Sequence, residues 1–190
     1  VRNLGVSEAN HDQIIILDCD MLPEPTLVES YMQYMHVGTI AVLIGGRRYV
    51  NTDELSIESV LGDIEPVLSL PTQRVDTGRG PEADEAPSED WRYKFYADSN
   101  NAKDAKYAFR WLCGGNICFH RPLHDAIGGF DESFTAWGAE DQEYGYRMYA
   151  AGAWFIPVQN AVGLHQEPPG GSNETDRDSG RSITREQLVE

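Results

Sequence analysis

Positive charge is scarce in this chain. Fifteen lysines and arginines stand against 31 aspartates and glutamates in 190 residues, a formal net charge of −16. A surface of that sign repels phosphate backbones and anionic lipid. It excludes broad nucleic-acid or membrane-surface binding and suits a protein that gathers a divalent cation. Cysteine is scarcer still: Cys19, Cys113 and Cys118 are an odd number with no paired spacing. That excludes a disulfide framework or a cysteine-built zinc site. It points to a reducing, cytoplasmic setting, with any membrane association peripheral and through a larger parent protein. No apolar run nears the roughly 20 residues of a membrane-spanning helix, and no internal repeat is present. With 41% hydrophobic and 24% charged residues, positions 1–190 read as one globular domain.

The pattern is organised around Ile14-Ile15-Ile16-Leu17-Asp18-Cys19-Asp20-Met21. Four consecutive apolar, mostly β-branched residues predict a strand buried on both faces, as in a parallel sheet covered by helices. In open α/β sheets, ligands lie beyond the carboxyl ends of the strands, where Asp18 and Asp20 emerge. Two carboxylates spaced two apart offer hard oxygen ligands to Mg²⁺ or Mn²⁺. The competing reading is a strand that ends in a polar turn.

Around that strand the chain reads as alternating helices and strands. Val1 to Asn10 resembles the tail of a helix feeding it. Pro25 suits the first turn of a helix in which Leu27, Val28, Tyr31 and Met35 recur at helical spacing, to about His36. Ile40 to Ile44 predicts a second buried strand ended by Gly45-Gly46, and Leu55 to Leu70 one or two short helices. The segment 72–89, rich in Pro, Gly, Asp and Glu, reads as a mobile acidic loop. Tyr107 to Phe119 reads as two extended pieces around Gly114-Gly115, and Pro122 to Ile127 as a short helix. A helix from about Ala139 to Ala151 has Tyr144, Met148 and Ala151 on its buried face and Gly152 at its C-terminal cap. Strands near Trp154 to Pro157 and Ala161 to His165 complete the core. The tail over about 166–182 is loop-like, and Ile183 to Val189 forms a last helical turn or two.

Three further groups carry candidate chemistry. His165 ends the last strand, within reach of the carboxylates, and imidazole beside carboxylates favours Mn²⁺ over Mg²⁺. The alternative is an ordinary turn histidine. Glu140 and Asp141 open a helix whose dipole favours their ionised forms. Either they cap that helix, or a carboxylate there takes the proton from an acceptor hydroxyl. Trp137 and Gly138 precede them as an aromatic plate and a flexible residue suited to a sugar face. Gly114-Gly115-Asn116 either lets backbone close on a ligand or makes a turn.

Together these pieces resemble the GT-A fold glycosyltransferases of family 2, and within them the chondroitin polymerase group. The resemblance is carried by Ile16 to Pro23 (ILDCDMLP), Ser30-Tyr31-Met32, Asp90-Trp91-Arg92, Gly114-Gly115-Asn116 and Phe130 to Phe134 (FDESF). It continues through Trp137 to Asp141 (WGAED), Tyr144 to Tyr149 (YGYRMY) and His165 to Asp176 (HQEPPGGSNETD), leaving out the acidic loop. It implies a Rossmann-like α/β fold, a mixed sheet flanked by helices. It also implies a metal-dependent enzyme that inverts the anomeric centre while moving a sugar from a UDP-sugar to a saccharide or other hydroxyl acceptor. UDP-N-acetylgalactosamine or another UDP-hexose is the implied donor.

By position in the resemblance, Asp20 binds Mn²⁺ or Mg²⁺ directly, His165 is a further ligand, and Asp18 lies nearer the ribose or a metal-bound water. Gly114 and Gly115 line the nucleotide side. Asp141 is the implied base, Glu140 holds acceptor hydroxyls, Trp137 stacks on a sugar, Asn116 stands beside the acceptor, and the loop after His165 closes over the nucleotide. Ala139 departs from the second glycine that relatives often carry, which narrows the acceptor cleft. The resemblance further implies an N-terminal portion ahead of Arg2-Asn3 with the first strands and much of the uracil pocket. On that reading Ile14 to Leu17 becomes an edge covered by the missing portion or by a second copy of the chain.

Two other classes compete: a non-catalytic carbohydrate- or nucleotide-binding module, and a metal-dependent sugar-nucleotide hydrolase. A polyanionic acceptor fits so acidic a chain only if Arg47, Arg48, Arg92 and Arg110 line its path.

Overall fold

The computed structural model describes residues 1–72, 90, 92–135 and 138–166. Residues 73–89 of the acidic loop expected over 72–89, Trp91, Trp137 and the expected tail and last helical turns beyond 166 lie outside the described residues. Helix α1 (Arg2–Glu8) leads into β1 (Gln13–Leu17), and β2 (Met21–Pro23) follows at once. Then come α2 (Leu27–Met32), β3 (Ala41–Val50), α3 (Ile57–Gly62), α4 (Glu65–Leu68) and α5 (Arg92–Asp98). The described chain closes with β4 (Asn116–His120), α6 (Arg121–Ile127), α7 (Glu140–Ala150) and β5 (Trp154–Gln166).

Among the described residues five strands make one mixed sheet in the order β1-β4-β3-β5-β2. Only β3 and β5 run parallel; β1 with β4, β4 with β3, and β5 with β2 are antiparallel. Strand alternation sends side chains to two cores. Val42, Ile44, Ile117 and Phe119 pack with Leu112, Leu123, Tyr144 and Met148 on the side of α6 and α7. Leu43, Cys118, Val158 and Ala161 pack with Leu27, Tyr31 and Met35 of the α2 side. A smaller cluster of Val50, Val67 and Leu164 lies under α3 and α4, where one or two short helices were expected between Leu55 and Leu70.

Several elements differ from their sequence reading, each for a physical reason. β1 is an edge of the described sheet, as the resemblance implied, but it is not buried on both faces: only Ile14 of its apolar run is buried, because β4 covers one side of it and helices pack mainly on one face. Gly45-Gly46 does not end β3. The strand passes through the pair, which is glycine because a Cβ on Gly45 would stand 2.3 Å from both Asn116 Nδ2 and Tyr31 Oη, and one on Gly46 2.4 Å from the Gln159 carbonyl. The two strands expected at Trp154 to Pro157 and Ala161 to His165 are one, β5. Gly45 pairs with Val158 but Gly46 with Val162, so Gln159, Asn160 and Ala161 are extra residues in a wide bulge.

The first extended piece expected after Tyr107 is instead a 3-10 turn, Ala108–Trp111, fixed by Trp111 stacking on Phe95 with centroids 3.9 Å apart. α7 buries Tyr144 and Met148, but Ala151 is exposed, since the helix has ended before the left-handed Gly152 (φ +89°) turns the chain away. Val28 likewise faces solvent, on the outer side of α2.

Two glycines separate close packing from flexibility. Gly45→Ala is expected to lower stability by about 2 kcal/mol, because neither Asn116 nor Tyr31 can retreat without breaking hydrogen bonds. Gly5→Ala, inside α1 with nothing within 4 Å of an added methyl, is expected to raise it by about 0.5–1 kcal/mol. Denaturant titration of both variants checks the contrast; equal effects would remove the packing argument.

Candidate active site

The polar ends of β1 and β5, the start of β4 and the N-terminus of α7 converge on one side of the sheet. Antiparallel pairing sets Met21 of β2 opposite His165 of β5, and the Gln166 N–H donates to the Asp20 carbonyl at 2.9 Å. The His165 Nε2 thereby lies 3.4 Å from Asp20 Oδ2, with the imidazole largely buried and half of the carboxylate in solvent. Tyr49 sets its ring edge-on against the imidazole, with centroids 5.3 Å apart. The hydrogen bond from His165 holds the Asp20 carboxyl below its ordinary pKa, against the opposing effect of burial.

The donor set at this pair suits a hard divalent ion. Two ligands about 2.1 Å from a shared octahedral ion stand about 3.0 Å apart when adjacent, close to the Asp20–His165 spacing. Among the described residues no three His, Cys, Asp or Glu side chains are grouped to hold an ion. A two-ligand protein site agrees with ions that take their remaining oxygens from water and substrate phosphates. Asp18, the third residue of the expected set, is engaged elsewhere.

That engagement runs through Arg2, which sequence reasoning did not assign to the site. Its guanidinium donates from Nη2 to Asp18 Oδ1 at 3.1 Å and from Nη1 to Asp141 Oδ1 at 2.9 Å. Glu140 Oε1 lies 3.8 Å from Nη1, and the Phe130 ring is 5.4 Å from the guanidinium carbon. One cation from α1 thus joins the end of β1 to the start of α7. The available signal was charge balance: Glu140, Asp141 and Asp18 cannot share a site without a cation, and Arg2 is the first arginine of an acid-rich chain. α1 itself is anchored by Asn3, whose amide donates to the Phe130 carbonyl and accepts from the Phe130 N–H, both at 2.8 Å.

Gly114 and Gly115 serve the carboxylates. The Gly114 N–H donates to Asp141 Oδ2 at 2.7 Å, and the Gly115 carbonyl accepts from the Asp18 N–H at 3.0 Å. A Cβ on Gly114 would meet Asp141 Oδ1 at 2.3 Å, and one on Gly115 would meet Asp18 Oδ2 at 2.8 Å. Burial pushes the Asp141 carboxyl up to about 6, with Glu140 and Asp18 adding to the rise while Arg2 and the Gly114 N–H oppose it. Glu140 also accepts from the Gly138 N–H at 2.9 Å, folding the chain back at the helix start. Ala139 at that start holds a left-handed φ of +65°, a conformation that glycine adopts without the strain a methyl group brings.

The expectation that Asn116 contacts an acceptor is corrected. Its side chain is 1% exposed, donates to the Gly46 and Ala161 carbonyls at 2.9 and 2.8 Å, and accepts from Tyr31 Oη at 2.7 Å. Those bonds tie four elements together and leave no N–H to offer a ligand. The four-arginine path is corrected as well. Arg92 is buried against Asp90 and donates to the Gly45 carbonyl, and Arg48 donates to the Leu68 and Leu70 carbonyls. Arg110 is exposed, and only Arg47, beside Tyr49 and Gly115, faces the carboxylate centre.

Removing the bridging cation should expose its electrostatic role. In Arg2→Met the Asp141 carboxyl is expected to titrate above about 6, because a charge that lowers its pKa is gone while burial and Glu140 remain. Carbon-detected NMR titration of the carboxyl groups reads this directly, and an unchanged or lower value would contradict the bridge.

Residues 1–110 match the family described as Glycosyl transferase family 2, and residues 96–163 match the N-terminal domain of galactosyltransferase. Chondroitin synthase of Escherichia coli is 40% identical over 194 residues, covering 99% of this chain and 27% of that protein. Chondroitin synthase of Pasteurella multocida is 39% identical over 184 residues, covering 97% and 19%. Hyaluronan synthase of Pasteurella multocida is 34% identical over 189 residues, covering 100% and 19%. The chain therefore spans about a quarter or less of the length of these relatives. Its mixed sheet flanked by helices accords with the GT-A fold, and with a family description met over more than half its length, the chain belongs to glycosyl transferase family 2.

Proposed function

We propose that this chain carries the centre of a metal-dependent, inverting glycosyltransferase that moves a hexose from a UDP-sugar to a hydroxyl of a saccharide acceptor. The observation that carries the reading is the meeting of Asp20 with His165, 3.4 Å apart, on the side of the sheet where Arg2 gathers Asp18, Glu140 and Asp141. Donor and acceptor chemistry then have separate residues within one centre.

In this reading Asp20 and His165 hold Mn²⁺ or Mg²⁺, with Asp18 beside them toward the ribose. The ion supplies Lewis acidity, stabilising the negative charge that builds on the departing diphosphate. Arg47, next to Tyr49 and Gly115, adds positive charge on the same side. Asp141 accepts the proton of the acceptor hydroxyl as its oxygen attacks the anomeric carbon from the face opposite the leaving group. Its carboxyl, pushed up to about 6, is basic enough to take that proton and still ionised at neutral pH. Glu140 orients the acceptor hydroxyls, and Arg2 limits the mutual repulsion that would otherwise keep the base protonated. Chondroitin synthase relatives favour UDP-N-acetylgalactosamine as the donor to try first.

UDP release measured with and without a saccharide acceptor separates transfer from hydrolysis and from mere binding. Asp141→Asn is expected to reduce transfer by 10²- to 10⁴-fold while leaving Mn²⁺ and UDP affinity within a few-fold. Equal loss of UDP affinity would place Asp141 at the donor, and near-normal transfer would reduce it to a helix cap.

The pH profile follows from the sign of the Asp141 shift. A base must be deprotonated, so log kcat/KM is expected to fall with unit slope below about pH 6 and to level off above it. A profile flat down to pH 4.5 would rule out Asp141 as the titrating base.

A further inference from the structure

A second recessed surface shares no residue with the carboxylate centre. It is a cleft of about 440 Å³ between α5 and the bulge of β5, within the size range of small-molecule sites. Three tyrosines line it, Tyr34, Tyr93 and Tyr96, together with three amide side chains, Asn101, Gln159 and Asn160. The remaining lining residues are Ala97 and Pro157, so among the described residues no acid or base lines the cleft, in a chain of net charge −16.

Two backbone irregularities converge there. Asn100, Asn101 and Ala102 all hold left-handed φ angles, between +52° and +65°, without a glycine among them. Three such residues in a row are costly and persist where surrounding structure enforces them, often at ligand sites. Here they bring Asn101 across to β5, where its Nδ2 donates to the Pro157 carbonyl at 3.4 Å and its Oδ1 accepts from Gln159 Nε2 at 3.1 Å. The facing irregularity is the bulge itself, which pushes Gln159 and Asn160 out into solvent beside the tyrosines. Neither feature is required by the sheet, whose strands pair regularly on both sides of the break.

The chemistry of the lining narrows the occupant. Tyr34 and Tyr93 are partly exposed, an aromatic ring is a surface on which the C–H face of a sugar stacks, and amides both donate to and accept from sugar hydroxyls. Tyr96 is 1% exposed, and its hydroxyl is buried with no hydrogen-bond partner among the described residues. That hydroxyl sits in the field of the buried Arg92 and Asp90, so Tyr96 packs beneath the cleft, and Tyr34 and Tyr93 are the rings open to a ligand. With no cation among the described lining residues, uronate or phosphate would bring uncompensated charge to the cleft.

We propose that the cleft formed by Tyr34, Tyr93, Tyr96, Asn101, Gln159 and Asn160 is a saccharide-binding subsite, separate from the transfer centre, that holds a short uncharged glycan segment. Such a subsite retains a neutral glycan near the enzyme independently of donor and metal. The effective concentration of any reactive end on the same molecule rises accordingly.

The test uses the whole 190-residue chain without donor or metal, so that its failure leaves the transfer reading standing. Chitotriose is titrated while amide NMR shifts are followed, with a hyaluronan tetrasaccharide and uridine as comparison probes. The expected result is saturable perturbation at 93–101 and 157–160 by chitotriose, at least tenfold weaker binding by the anionic tetrasaccharide, and none at those positions by uridine. Asn160→Ala, a change at an exposed position, and Tyr93→Ala are each expected to weaken chitotriose binding at least fivefold with the rest of the spectrum preserved. The proposal is overturned if chitotriose leaves the cleft unperturbed, if both variants bind it as well as the parent, or if the anionic sugar or uridine binds there as tightly.

Discussion

The geometry of the centre depends on the Asn116 amide. Sitting at the first position of β4, it binds a carbonyl of β3, a carbonyl of β5 and the hydroxyl of Tyr31 on α2, all within a buried volume. Hydrogen bonds so enclosed are strong, and leaving any of them unmade exposes a polar group to an apolar interior. Gly45 is glycine because this amide and Tyr31 already fill the space a methyl group would take. The chain immediately before Asn116 is therefore fixed relative to three other elements. That chain is Gly114-Gly115, whose backbone holds Asp141 and Asp18. Precision in the core is transmitted to the surface across two residues.

Acidity then sets the second constraint. Asp18, Glu140 and Asp141 repel one another, and burial disfavours the charged form of Asp141 further. Arg2 makes their assembly possible, and its own position is secured by Asn3 clamping the Phe130 peptide group. The ensemble is balanced closely enough to leave one carboxyl near neutrality while Asp20, with its own imidazole partner, stays fully ionised. Two acidic groups of one centre thereby acquire different proton affinities from their neighbours alone.

The sequence made much of this legible, and the omissions have common causes. Ile14 to Asp20, His165 and Glu140-Asp141 carry local signals, and the strand, the strand end and the helix start they mark are all present, although the hydrophobic run is buried on one face and not on both. The continuation of β3 through Gly45-Gly46 was hidden because a glycine pair reads as punctuation, while its causes are distant in sequence: Asn116 and Tyr31 crowd Gly45, and the Gln159 carbonyl crowds Gly46. The role of Asn116 was misread for the same reason: an asparagine after two glycines looks like a turn, and only the sheet order shows that it is interior. Arg2 acts across 139 residues, a separation to which no local pattern extends. The merging of two strands into β5 depends on a register shift against β3, which exists only between strands.

That register shift constrains how the family can vary in length at this place. Downstream of the bulge, β5 alternates between Leu164, buried under α3 and α4, and His165, opposite Met21. Insertion or deletion of a single residue among Gln159 to Ala161, with upstream pairing kept, would exchange the two faces, sending a leucine into the polar centre and an imidazole into the core. A change of two residues would restore the faces but displace the histidine about 6–7 Å along the strand, out of reach of Asp20. Whatever side chains the bulge carries, its length is therefore closed, so an alignment of functional relatives should show no gaps there.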